Sequence, residues 1–270
     1  MEQHAMRLFD SHCHLDDRAY AGDRAETLDR MRAAGVAAAM VVGIHRRSSE
    51  RAVDLARHHP NLFAAVGVHP HDVKHCNEET LAFLVRLAND PKVRAWGETG
   101  LDFNRMFSPR PDQEHWFRRQ IGIAVERDLP LIIHERDSGG RLLAILREER
   151  LPDRLGVVHC FSGTRDELQG YLELGFSIGI TGVVTIQSRG ADLRRLVPEI
   201  PDDRLLVETD APYLTPAPEK NKTRRNEPAF VRSVLLKLAE VRGQSPNALA
   251  ETVWRNTRRL FGITGELGSG

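Results

Sequence analysis

Short apolar runs alternate with longer amphipathic stretches from one end of the chain to the other. The runs read as strands near 7–11, 38–44, 64–68, 93–98, 130–134, 155–159, 175–180 and 205–209. Segments near 22–34, 47–59, 77–89, 111–128, 138–149, 164–174 and 188–197 carry helical periodicity, as do two more at 227–242 and 246–260. Ser138 and Thr164 are placed to cap helix starts, and Gly35 and Gly175 to follow last turns. Eight strands alternating with helices predict an α/β fold, a (β/α)8 TIM barrel in one domain over 1–264, with 265–270 a disordered tail. An open doubly wound sheet would show the same alternation, so other residues must decide between them.

The polar residues at the strand ends decide it. The run Leu8-Phe9 leads to His12 and His14, Val93–Gly97 to Glu98, Leu131–Ile133 to His134, Val157–Val158 to His159, and Leu205–Val207 to Glu208 and Asp210. These come from the first, fourth, fifth, sixth and eighth strands. An open sheet would hold its two edges apart, whereas a barrel gathers all five ends around one axis at the face where such folds build active sites. Strand alternation places Asp10, His12 and His14 on one face, and likewise Ile132, His134 and Arg136; Val157, His159 and Phe161; and Leu206, Glu208 and Asp210.

The residue types specify chemistry. A His-x-His at a strand end puts two imidazoles on one side, about 7 Å apart along the strand and able to converge on one divalent ion. Glu98 can bridge two cations, His134 and His159 can serve a second, and Asp210 can bind metal while accepting a proton from its water. Mixed imidazole and carboxylate ligation suits zinc, manganese or iron better than magnesium, which prefers oxygen. Two such ions support metal-assisted hydrolysis, with Asp210 and Glu98 as the catalytic carboxylates. Glu208, one step deeper, is expected to orient a ligand rather than bind metal itself. His69 and His71 close the third strand, where they could touch substrate or tune metal waters. His45, His58, His59, His75 and His115 read as surface residues.

Composition limits the partners. Lys plus Arg and Asp plus Glu are 38 each, so no global field draws the chain to a polyanion and any such binding must be local. The most basic loop is Lys220–Asn226, where Arg224 and Arg225 are candidates for phosphate, with Arg105 and Arg136 as weaker ones. Aromatics make up 6%, too few for an extended stacking surface, although Phe161, Phe103 and Tyr213 near the rim could stack a terminal base. Cys13, Cys76 and Cys160 form no CxxC and suggest a reducing, cytoplasmic setting; Cys13 and Cys160 are expected to face away from the ligands. Neither a secretory leader nor a span long enough for a bilayer is read.

The chain resembles the TatD family of metal-dependent deoxyribonucleases, amidohydrolase-like barrel hydrolases. The residues carrying the resemblance are Phe9–Asp16, Gly67-Val68-His69-Pro70-His71, Gly97–Phe103, His159–Gly163, Glu208–Leu214 and Arg224–Pro228, in the family's order. It implies ligand roles for His12, His14, Glu98, His134, His159 and Asp210, two divalent ions (Mg2+, Mn2+ or Zn2+), and 3′–5′ exonuclease action on DNA as single strand or duplex end through metal-activated water. It names no protein partner. The rival reading is an amidohydrolase acting on a small ester, lactone or cyclic amide. Such enzymes often bridge their metals with a carboxylated lysine, and no lysine lies near a strand end here.

Overall fold

A computed structural model describes residues 6–153, 155–217 and 219–267. Eight strands form one parallel sheet in sequence order: β1 (Leu8–Cys13), β2 (Val36–Val42), β3 (Leu62–Val66), β4 (Val93–Asp102), β5 (Leu131–Arg136), β6 (Gly156–His159), β7 (Ser177–Ile180) and β8 (Leu205–Val207). The seam closes between β1 and β8 through a parallel bridge from Cys13 to Ala211, with His14 N–H on Ala211 O at 2.7 Å and Asp210 N–H on His12 O at 2.9 Å. The predicted barrel is therefore the observed architecture.

The helices are α1 (Arg24–Ala33), α2 (Arg46–His58), α3 (Glu78–Leu87), α4 (Arg110–Arg127), α5 (Arg141–Glu148), α6 (Arg165–Leu174), α7 (Ala191–Leu196), α8 (Val231–Arg242) and α9 (Pro246–Leu260). Thr164 closes a capping box with Glu167 at the start of α6, and Gly175 ends it in the left-handed conformation, φ +93°. Ser138 is not the cap of α5. Gly140 holds that position, and Ser138 Oγ instead accepts from Leu142 N–H one turn inside. No described helix is long and apolar enough to cross a membrane.

Two apolar layers hold the barrel. Alternate residues from seven strands fill its interior, among them Phe9, Met40, Phe63, Ala95, Ile132, Val157 and Leu206, and Trp254, Phe261 and Ile263 close this layer beside Phe9. Their neighbours, such as Leu8, Val41, Trp96, Ile133 and Val207, pack outward against the helices. The seventh strand contributes no large side chain inside because Gly179 leaves room for Glu208; a Cβ there would stand 2.5 Å from Glu208 Oε2. Of the predicted tail, Leu267 packs against the interior cluster and accepts from Arg7 at 2.6 Å, while 268–270 lie outside the described residues.

The strict two-residue period breaks at the mouth. In β1, Asp10 pairs with Ala39 and Cys13 with Val41, so three steps on one strand match two on the other. Phe9 consequently faces inward and Cys13 outward, although they are four residues apart. Asp10 therefore does not align with the histidines: its carboxylate accepts from Thr209 N–H at 2.9 Å and Thr209 Oγ–H at 2.6 Å, bonding across the seam. A second register shift lies between Trp96 and Thr99 on β4. Beyond it the strand runs to Asp102, past the expected end at Glu98, because Gly100 lets it lie against β5; a Cβ there would sit 2.0 Å from His134 O.

Candidate metal centre at the barrel mouth

The six strand-end residues meet at one point. Glu98, 2% exposed, sits between two sets of imidazoles and uses a different oxygen for each. Its Oε2 lies 3.4 Å from His12 Nε2 and 3.8 Å from His14 Nε2; Asp210 Oδ1 completes this side at 3.7 and 3.3 Å from the same nitrogens. Its Oε1 lies 2.9 Å from His134 Nδ1 and 2.8 Å from His159 Nε2. Two triads, His12–His14–Glu98 and Glu98–His134–His159, thus share one carboxylate and have metal-binding spacing. Neither cysteine beside the cluster enters it: Cys13 Sγ turns to Met40 O and Cys160 Sγ to Thr181.

The donors converge closely enough to contact one another, Glu98 Oε1 lying within hydrogen-bond distance of His134 Nδ1 and His159 Nε2. His12 Nε2 and His14 Nε2 stand 3.3 Å apart, and His14 Nδ1–H donates to Val42 O at 2.8 Å, which turns its Nε2 into the site. His12 Nδ1 is buried without a hydrogen-bond partner. Burial alone would protonate Glu98, but the surrounding His159, His69, His12 and His134 hold it well below the usual carboxylate range. Asp210 behaves alike, burial being overcome by His14, His159 and His12. Burial and the neighbouring His159 lower His12, which favours the neutral imidazole a ligand must be. In His14 burial is outweighed by Asp210, taking it up to about 9, so a bound cation would displace a proton there. Two anionic carboxylates and four convergent imidazoles are a donor set that fits divalent metal.

Surrounding groups brace these donors. Glu208 Oε1 accepts Cys160 N–H at 2.5 Å and lies 3.5 Å from His159 Nδ1, while its Oε2 is 3.3 Å from Ser11 Oγ. His69, 7% exposed, approaches Glu98 Oε1 to 3.3 Å, and burial lowers its pKa to about 4. Asp102 was not singled out from the sequence. Its Oδ2 meets His71 Nε2 at 2.6 Å and His134 Nε2 at 3.3 Å, while its Oδ1 accepts the Asn104 and Arg105 N–H groups. The available signal was one more strand-end acid, hidden by reading the fourth strand four residues short.

Two expected substrate contacts are corrected. Phe161 does not face the mouth: Cys160 turns at φ +49°, and Phe161 packs outward against Tyr171, 3% exposed. Arg225 is committed internally. Its Nη1 donates to Ala19 O and Asp23 Oδ1, its Nη2 to Asp23 Oδ2 and Glu227 Oε1, and the guanidinium lies 5.0 Å over Tyr20. Arg224 is exposed with no side-chain partner among the described residues. The same holds for Arg18, Lys74, Arg105, Arg189, Lys220 and Lys222 on the loops that follow strands, so the mouth carries free cations although net charge is zero.

Known proteins share this arrangement of chain. The family described as TatD related DNase matches residues 9–262. A 3′–5′ ssDNA/RNA exonuclease TatD from Escherichia fergusonii is 42% identical over 95% of this chain and 100% of its own length, and one from Citrobacter rodentium is 44% identical over 95% and 98%. The solved YJJV TatD homologue of Escherichia coli superposes with a TM-score of 0.88 at 31% identity, covering 96% of this chain and 100% of that one. A TatD family hydrolase from Entamoeba histolytica gives 0.85 at 26%, covering 96% and 99%. With a family match across nearly its whole length and relatives this similar, the chain belongs to the TatD related DNase family of hydrolases.

Proposed function

We propose that the protein is a 3′–5′ exonuclease acting on single-stranded DNA and RNA through a dinuclear metal centre. The observation that carries this reading is the single carboxylate of Glu98 facing His12 and His14 with one oxygen and His134 and His159 with the other. His12, His14 and Asp210 would hold one ion, His134 and His159 the other, with Glu98 between them. Zinc or manganese suits this donor set, and magnesium would rely on its carboxylates. When bound, the ions would polarise a phosphoryl oxygen and acidify the attacking water.

The chain's own residues do the rest. Asp210, on the His12–His14 side of the cluster, accepts the proton of that water. Val42 O fixes the His14 tautomer, and Asp102 sets the ring plane of His134. Arg224, Arg136 and Arg105 hold phosphates along the strand. The relatives' names specify unpaired substrate, so a single strand is favoured over the duplex ends expected from the sequence. The free thiols of Cys13, Cys76 and Cys160 agree with a cytoplasmic setting.

The test uses 5′-labelled single-stranded DNA and RNA, duplex DNA, and a panel of small esters, lactones and cyclic amides, with protein reconstituted in Mg2+, Mn2+ or Zn2+. A ladder shortening from the 3′ end of the single strands, abolished by chelation while circular dichroism keeps the folded signal, is the expected result. Intact oligonucleotides beside hydrolysed esters would return the site to the amidohydrolase reading.

A further inference from the structure

Four large apolar side chains among the described residues are conspicuously exposed, and two of them are aromatics beside the metal centre. Phe107, 54% exposed, stands edge-on to His71 with ring centroids 4.8 Å apart; Tyr213, 52% exposed, stands edge-on to His14 at 5.9 Å. His71 shares the carboxylate of Asp102 with His134, and His14 lies on the Asp210 side, so the two rings flank the cluster from opposite halves.

Both rings are presented by backbone tied to acidic residues at the centre, through the carboxylate of Asp102 and through the main-chain carbonyl of Asp210. Asp102 Oδ1 accepts the N–H groups of Asn104 and Arg105, which folds the loop carrying Phe107, and Ser108 anchors its far side by donating to His71 O at 2.9 Å. Tyr213 N–H donates to Asp210 O at 2.9 Å, and its carbonyl accepts from Asn226 Nδ2 at 2.6 Å. The Tyr213 hydroxyl has no hydrogen-bond partner among the described residues, so nothing polar explains its position. Leaving two such rings in water forgoes the burial that each could supply elsewhere, while a flat apolar face beside a phosphate-binding centre matches an unpaired nucleobase.

We infer that Phe107 and Tyr213 are two stacking platforms for the bases on either side of the scissile phosphate. This rests on the exonuclease reading above and deepens it. For an enzyme that releases one nucleotide, the terminal base takes one ring and the penultimate base the other, with their linking phosphate over the metal centre. Paired bases stack within the duplex and cannot reach either ring, so the platforms also select single strands. Every base offers a π-face, and the selection is therefore indifferent to sequence.

The experiment measures kcat and KM on three single-stranded oligonucleotides: intact, lacking the terminal base, and lacking the penultimate base, each gap being a tetrahydrofuran residue. The enzymes are the metal-loaded wild type, Phe107→Ala, Tyr213→Ala, and the ring-preserving Phe107→Tyr and Tyr213→Phe. Each alanine variant is expected to lose about tenfold in kcat/KM on the intact strand, to lose no more on the strand missing its own base, and to regain the rate when the ring is restored. An alanine loss of equal size on all three strands would make the ring merely structural and overturn the inference, as would no loss on the intact strand. A wild type that leaves the intact strand undigested would sink the exonuclease reading and this inference together, whereas the variant results bear on the platforms alone.

Discussion

Adjacent arginines in the same basic loop should behave in opposite ways. In Arg225 all four Nη hydrogens are taken by Ala19 O, Asp23 and Glu227, which leaves only Nε–H for any ligand. Its side chain is 29% exposed and lies over Tyr20. Arg225→Ala should lower the melting temperature by roughly 2–4 °C, the shift that loss of a well-oriented ion pair gives in a domain of this size, and should leave the salt dependence of strand binding unchanged. Arg224→Ala should do the reverse. One lost phosphate contact on a single strand removes about 0.7 from the slope of log affinity against log salt. Between 50 and 200 mM salt, the ratio of wild-type to variant affinity should then shrink by about 2.6-fold, with the melting temperature unmoved. Fluorescence anisotropy of a labelled oligonucleotide across that salt range, beside thermal melts, measures both. A flattened slope in Arg225→Ala, or an unchanged slope in Arg224→Ala, would refute the assignment.

Two more perturbations separate ligand from base and probe the seam. Asp210→Asn should retain most metal and lower turnover by roughly a hundredfold or more, because it removes a proton acceptor, whereas Glu98→Ala should lose the metal pair itself; metal analysis beside single-strand digestion distinguishes them, and wild-type turnover in Asp210→Asn would exclude the base role. Burial pushes the Asp10 carboxyl up to about 8 against the hydrogen bonds from Thr209. The folded state therefore keeps a proton that the unfolded chain has lost, and this contribution is complete below about pH 4 and declines as pH rises to about 8, at up to roughly 1.4 kcal/mol per pH unit. Urea melts of chelated protein at pH 5 and 8 should show that decline in wild type and a flatter profile in Asp10→Asn; a stability difference between the two that ignores pH would contradict it.

The barrel was legible because its interior asks only for apolar volume at alternate positions. Met40, Ile132, Val157 and Leu206 meet that demand on the faces that period-two reading assigns. The six strand-end candidates were legible for a related reason: their residue types are costly to bury without a task, and the structure gathers the other five around Glu98. What stayed hidden depends on partners far along the chain. Asp23, whose carboxylate occupies Arg225, lies about two hundred residues away, so the loop reads as solvent-facing charge until the fold brings α1 beside it. Asp102 ends an extension of β4 that continues past an apparent stop, and Phe107 lies in the loop that follows it.

The errors also share a place. Asp10, Phe161 and the length of β4 were all misjudged within a few residues of the mouth, where a register shift on β1, another on β4 and a left-handed turn at Cys160 re-aim the chain. Regular alternation would have sent His12 inward only by sending Phe9 out, losing an interior aromatic to gain a ligand. The shift on β1 lets Phe9 and the two histidines face the axis together. On β4 the same device turns Glu98 to the centre while Trp96 and Leu101 pack outward. Departures from local pattern are thus how a barrel whose lower layers need only fit can carry a polar centre at one end, and in a chain of this kind they are themselves a signal of where the chemistry lies.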